Sequence, residues 1–226
     1  MVLKSRKKPK LKKLCYSLAA LAATLILLVL LLLHTPKGFE QPNPISDGKV
    51  SRYLTHVLAP QFYNGVQRQQ PFELVITQAA VNDILARFQW PKQFNSLTIS
   101  TPQVFFVPDN IVLMTTASFH DLNFVVTVVA APALDGDGLL RLSIKKVKVG
   151  AVRMTFITRK IAKRIYKNKL AGTPLETGDI WAQLTASLLD SHLFEPVFSA
   201  EDKKVRAESI KISPAKLTVN FTPATD

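Results

Sequence analysis

Residues 14–33, LCYSLAALAATLILLVLLLL, run for twenty positions without a charge. As a helix rising about 1.5 Å per residue the run is roughly 30 Å long, the thickness of the hydrocarbon core of a bilayer. Lys4, Arg6, Lys7, Lys8, Lys10, Lys12 and Lys13 precede it with no acidic residue among them, whereas Lys37 and Glu40 cancel after it. The positive-inside rule therefore places the N-terminus in the cytoplasm and residues 35–226 on the other side. A cleaved signal peptide has an apolar region of about 7–15 residues ending in small side chains. This run is longer, ends Leu-Leu-Leu-His34 and offers no A-x-A site, so an uncleaved signal-anchor is expected.

The formal net charge of +13 is unevenly spread. Without the seven cations of the N-terminal tail, 22 basic and 16 acidic residues remain. The high isoelectric point is partly a property of that tail, and no nucleic-acid partner is expected. Cys15, the only cysteine, lies at the start of the apolar run. It reads as a small helix residue, or in a eukaryote as a palmitoylation site. The outer domain has no disulfide and depends on its core.

Four segments are expected: a cytoplasmic basic tail over 1–13, a transmembrane signal-anchor helix over 14–33, a linker over 34–70 with a short amphipathic helix, and an extracytoplasmic domain over 71–226. Pro36, Pro42 and Pro44 suggest an extended stalk. Val50, Tyr53, Leu54, Val57 and Leu58 follow helical spacing before Pro60. FELVIT reads as a strand, and Thr77 as the cap of a helix with Val81, Ile84, Leu85 and Phe88 on one face. Strands are expected near 97–107 and 111–122, divided by Pro108-Asp109-Asn110. Asp135-Gly136-Asp137-Gly138 turns the next hairpin. Ile157, Ile161 and Ile165 make a helical stripe, and Trp181, Leu184, Thr185, Leu188 and Leu189 another. Strands around Ile210–Ile212 and Leu217–Phe221 close the chain. Runs of antiparallel strands with helices between them indicate an α+β domain.

The sequence offers no catalytic signature: no G-x-S-x-G, H-E-x-x-H, phosphate-binding glycine loop or C-x-x-C. His34, His56, His120 and His192 lie far apart. On a strand His120 and Asp121 would face opposite ways, and Asp135 and Asp137 lack the acidic residue that a calcium loop places at its twelfth position, here Lys146. No catalytic residue, metal site or cofactor is expected. From Arg141 to Lys169 there are eleven basic residues and no acid. They form either a solvated face or a contact for anionic headgroups made by Lys145, Lys146, Lys148, Arg159, Lys160, Lys163, Arg164 and Lys167.

Residues 75–85, VITQAAVNDIL, resemble the strand-to-helix motif of the YpmS-like bacterial membrane-anchored proteins and the YceB-like lipoproteins, through Thr77, Gln78, Val81 and Asn82. VPDNIVLM at 107–114 and LDGDGLLRL at 134–142 are similar to the hairpins that follow in those families. The resemblance implies a tubular lipid-binding-like fold, in which a curved antiparallel sheet wraps around helices, and a single-pass protein of the bacterial cytoplasmic (inner) membrane with a periplasmic domain. The expected function is binding or shuttling of a lipid or other amphiphile in an apolar groove. Val81, Ile84, Leu85 and Phe88 would line one side, and Phe119, Val126 and Val128 the other. Membrane lipids are the expected partners. The alternative is a tethered cell-envelope interaction module with a closed core, which would engage an envelope protein and hold no ligand.

Overall fold

The computed structural model of the protein describes residues 9–94, 96–120, 122–156, 183, 187–188 and 192–224. The uncharged run forms one helix, α1 (Pro9–Leu32). Its segment Lys13–Leu32 is long and apolar enough to cross a membrane, and none of it is buried against the rest of the chain. The helix end, however, is held. The last carbonyls of a helix lack intrahelical donors, and here the Ala151 N–H donates to the Leu31 oxygen at 2.8 Å. Gly150, beside it, has a φ of +57°. A Cβ at this position would collide with the carbonyl oxygens of both Leu31 and Leu32, so the close approach requires glycine.

The proline-containing segment after α1 lies against the domain and is not a free stalk. Phe39 is buried. The Gln41 amide donates to the Thr101 carbonyl at 3.1 Å, and the Ile45 N–H to the Ala86 carbonyl at 2.7 Å. Arg87 bridges Asp47 at 2.8 Å and Asp83 at 3.1 Å. Proline removes donors from the chain but leaves carbonyls, side chains and neighbouring N–H groups free to dock.

A π-helical turn, Leu54–Leu58, leads into α2 (Ala59–Arg68). This helix belongs to the core: Val66 is fully buried among Leu74, Val205, Ala207, Val219 and Phe221. The rings of Phe62, Phe72, Phe198 and Phe221 pack with centroids 5.2–6.5 Å apart. The folded unit thus takes in residues that lie before Pro71.

The remaining elements are β1 (Phe72–Thr77), α3 (Gln78–Ala86), β2 (Lys92–Phe94), β3 (Leu97–Ile99), β4 (Gln103–Val107), β5 (Asn110–Phe119), β6 (Leu122–Leu134), β7 (Leu140–Val149), β8 (Val152–Arg153), β9 (Val197–Ala200), β10 (Lys203–Ser213) and β11 (Lys216–Pro223). They make two antiparallel sheets. One has four strands, ordered β1-β11-β10-β9. The other has seven, ordered β2-β3-β5-β6-β7-β8, with β4 also paired to β5. The described chain is therefore α+β, rich in antiparallel sheet and poor in helix.

Local chemistry explains most boundaries. Thr77 caps α3, its hydroxyl accepting from the Ala80 N–H. The Asp135 carboxylate accepts from the Asp137 and Leu139 N–H groups and closes the β6–β7 turn. The single strand expected over 97–107 is instead two, because Ser100-Thr101-Pro102 interrupts it and Pro102 has no N–H for the ladder. The strand expected over 111–122 stops at Phe119, and β6 starts at Leu122. β2 and β9, of three and four residues, are too short for periodicity to reveal. The helical stripes of Ile157, Ile161 and Ile165, and of Trp181, Leu184, Thr185 and Leu189, lie outside the described residues. Leu188 is helical, and the neighbouring Ser187 hydroxyl accepts from the Leu142 N–H at 2.8 Å.

Candidate functional site

Directly opposed residues of an antiparallel pair share a face, so the register of the seven-stranded sheet fixes what each face presents. At one end, Phe94 opposes Leu97, Leu97 opposes Phe119, and Phe119 opposes Leu122. Four apolar side chains thus form a row across β2, β3, β5 and β6. Phe94 is 45 % exposed, Phe119 44 % and Leu122 48 %. Behind this row the same face carries Ile99, Ala117 and Phe124, and then Thr115, Val126 and Val149. Leu113, Val128 and Val147 follow. Thr115 is the polar member, and its hydroxyl is satisfied by the Ser100 carbonyl at 2.7 Å.

The opposite face of the end row is polar. Gln93 opposes Thr98, Thr98 opposes Ser118, and Ser118 opposes Asn123. The Ser118 hydroxyl donates to the Asn123 side-chain carbonyl at 2.6 Å. An open cavity of about 530 Å³ lies here, lined by Ser96, Thr98, Ser118, His120 and Asn123. One end of the sheet is therefore apolar on one side and polar on the other.

Further along this second face, Thr127 opposes Lys148 and Lys148 opposes Arg153, while Val129 opposes Lys146. Three cations thus share one face beside the Gly150–Ala151 turn. The Lys148 charge, aided by burial and by Arg153, holds the Lys146 ammonium below its ordinary pKa. Lys145 is the extra residue where the β6–β7 register shifts between Val129 and Ala130, and it is exposed.

Phe119, Val126 and Val128 lie on one face, at one end and in the middle of the sheet. Val81 and Leu85 pack against the buried cluster of Val104, Phe106 and Ile212, together with Leu113, which opposes Val128. Ile84 is half-buried, and Phe88, just beyond the end of α3, is 55 % exposed. Lys145, Lys146 and Lys148 are on β7, whereas Arg159, Lys160, Lys163, Arg164 and Lys167 lie outside the described residues. His120 is in the β5–β6 turn with a φ of +45°, not on a strand, so strand alternation does not govern it. Its ring lies 4.3 Å from that of Phe119. Asp121 lies outside the described residues. Among the described residues, no three His, Cys, Asp or Glu side chains converge in the manner of metal ligands.

Phe94, Leu97 and Leu122 complete the end row but do not stand out in the sequence. Each is a single apolar residue at or near a strand end, and only the pairing of four separate strands aligns them with Phe119. Gln78 and Asn82, prominent in the sequence motif, hold α3 to the free edge of β4. The Gln78 side chain accepts from the Phe106 N–H, and Asn82 bonds both polar groups of Val104. No protein-family model matches the chain, and no curated protein matches it.

Proposed function

We propose that the protein is a single-pass membrane protein whose extracytoplasmic domain binds a lipid or other amphiphile on the apolar face of its seven-stranded sheet. In this reading α1 spans the bacterial cytoplasmic membrane with the basic tail inside, and the sheet curves around a helical filling. The supporting observation is the apolar line along β6, from the exposed row at Phe119 and Leu122 through Phe124 and Val126 to Val128, with Thr115 beside it as the one polar residue named on that face. Such a surface suits an acyl chain, since about fifteen methylenes at ~0.8 kcal/mol each contribute roughly 12 kcal/mol before the costs of binding. Continuous apolar lining matters more here than a polar motif. The cations Lys146, Lys148 and Arg153 suit an anionic headgroup. The role is binding, not catalysis. The resemblance of residues 75–85 to the YpmS- and YceB-like proteins points the same way.

Native mass spectrometry of the full chain released from detergent, with solvent extraction of the sample, tests this reading. A stoichiometric retained lipid is expected, and Val126→Asp and Phe119→Asp should lose it with unchanged circular dichroism. Retention by both folded variants refutes the assigned face. The packing of Val81 and Leu85 into a filled cluster favours a second reading, a closed interaction module of the cell envelope. A wild-type chain that neither retains nor takes up lipid supports that module.

A further inference from the structure

The row Phe94–Leu97–Phe119–Leu122 belongs to the same end of the sheet as the Gly150–Ala151 turn, because the Gly150 N–H donates to the Val125 carbonyl at 2.8 Å on β6. That turn is bonded to the end of α1. Helix carbonyls point toward the C-terminus, so the donor on Leu31 lies beyond the helix end, where the hydrocarbon of a spanned bilayer stops. Leu122 precedes Val125 by three residues. At about 3.3 Å per residue the β5–β6 hairpin overhangs the turn by roughly 10 Å. Where the strands run along the membrane normal, an overhang of that size reaches the headgroup–acyl boundary, in which interfacial apolar faces bury about 5–10 Å deep.

We infer that this end of the sheet is a membrane-docking lip: Phe119 and Leu122, flanked by Phe94 and Leu97, insert into the headgroup–acyl boundary of the bilayer that α1 crosses. The occupant of the row is a lipid surface because the chain itself brings that surface to it. Three features agree. The apolar side chains lie in one line across four strands, which a planar surface can cover at once. The opposite side of the same hairpin carries Ser118 and Asn123, groups suited to the aqueous headgroup layer. Lys148 and Arg153, paired across strands beside the turn, face that layer's negative charge. The inference depends on α1 spanning the membrane and is independent of whether the inner part of the face holds a ligand.

Cys15 is the only cysteine, so single labels are simple to place. The full chain is reconstituted into phosphatidylcholine–phosphatidylglycerol vesicles containing lipids spin-labelled near the headgroup or deep in the chain. A fluorophore is carried on Cys15 of the otherwise unchanged protein, on Leu122→Cys in a Cys15→Ser background, or on Asp109→Cys in that background. Asp109 lies in the β4–β5 turn, at the opposite end of β5. The label at 122 should be quenched severalfold more by the shallow spin label than the label at 109. Phe94→Cys, on the same row, should behave as 122 does and guards against a local defect. An unquenched 122 with a quenched Cys15 overturns the lip. Equal quenching at 122 and 109 also overturns it, since the domain then lies on its side. If no position is quenched, the spanning reading of α1 fails, and the lip with it.

Discussion

Asn82 holds both backbone polar groups of Val104: its Nδ2 donates to the Val104 carbonyl at 2.9 Å, and its Oδ1 accepts the Val104 N–H at 2.7 Å. This side chain completes the ladder on the edge of β4 that, among the described residues, no strand covers. Gln78 does the same for the Phe106 N–H at 2.9 Å, and the Ala215 N–H for the Phe106 carbonyl at 3.1 Å. Bare strand edges invite pairing with other chains. Asn82→Leu should leave two polar groups without partners at about 1–3 kcal/mol each, partly relieved by water, and destabilise the domain by about 2–4 kcal/mol. Chemical denaturation checks the value, and light scattering should reveal self-association through β4.

Gly65 is buried under the ring of Phe72, and a Cβ would stand 2.5 Å from two of its carbons. That ring stacks on Phe221 with centroids 5.2 Å apart, so it cannot retreat without disturbing the aromatic cluster. Gly65→Ala is expected to lower stability by about 1–3 kcal/mol through overpacking. Gly136→Ala, where the added methyl meets nothing within 4 Å, should change little, with chemical denaturation as the measurement for both variants.

Asp47 clasps the segment after α1 to the domain. Its carboxyl is held below the ordinary value of 3.8, first by the Lys49 N–H and then by the Arg87 guanidinium. A depressed carboxyl pKa contributes stability that is present above the unfolded value and is lost as pH falls through the lower folded value. The clasp should therefore be indifferent to pH between 5 and 8 (about one unit or more above the unfolded pKa) and loosen only below 3.8. Digestion with an acid-stable protease as the pH is lowered through 3.8 and below should show rising cleavage within residues 35–48. Asp47→Asn should give the same cleavage at neutral pH.

Gly150 lets the β7–β8 turn approach the end of α1. Gly150→Val adds a branched side chain where even a Cβ collides with the Leu31 and Leu32 carbonyls, at a φ of +57° that β-branched residues avoid. The expected result is loss of the Ala151–Leu31 hydrogen bond with the sheets intact. Spin labels at the end of α1 and at Asp109 should give a narrow distance distribution in the wild type and a broad one in the variant. An unchanged distribution would refute the clamp.

Anionic lipid should relieve the repulsion at Lys146. Its ammonium is held below the ordinary value mainly by Lys148. Vesicles rich in phosphatidylglycerol should raise its pKa toward that value, and neutral vesicles should not, as read by side-chain NMR of labelled lysine. An equal response to both vesicle types would show that headgroup charge does not reach this cluster.

Local signals carried part of this architecture into the sequence. The apolar run announces α1 by length alone, Thr77 shows its capping role, and Asp135 to Gly138 name their own turn. The shared face of Ile111, Leu113, Ala117 and Phe119 follows from alternation. The end row could not be read in this way, because β2 and β3 span only three residues each and alternation needs more. Its alignment depends on which strands become neighbours. The docking of residues 35–48 was hidden for another reason. Prolines report the local conformation, and the burial of Phe39 depends on a surface assembled from distant segments. Asn82 was visible as a motif position, but its partner on β4 is fixed only by tertiary contact.

A free coil of fourteen residues would give the domain a leash of about 20 Å. With the segment after α1 bonded down at Gln41, Ile45 and Asp47, and the helix end bonded to Ala151, that leash is fully reeled in. The domain then cannot ferry cargo across a gap by swinging. On the proposed reading, a lipid held by the domain stays within reach of the membrane that α1 would cross.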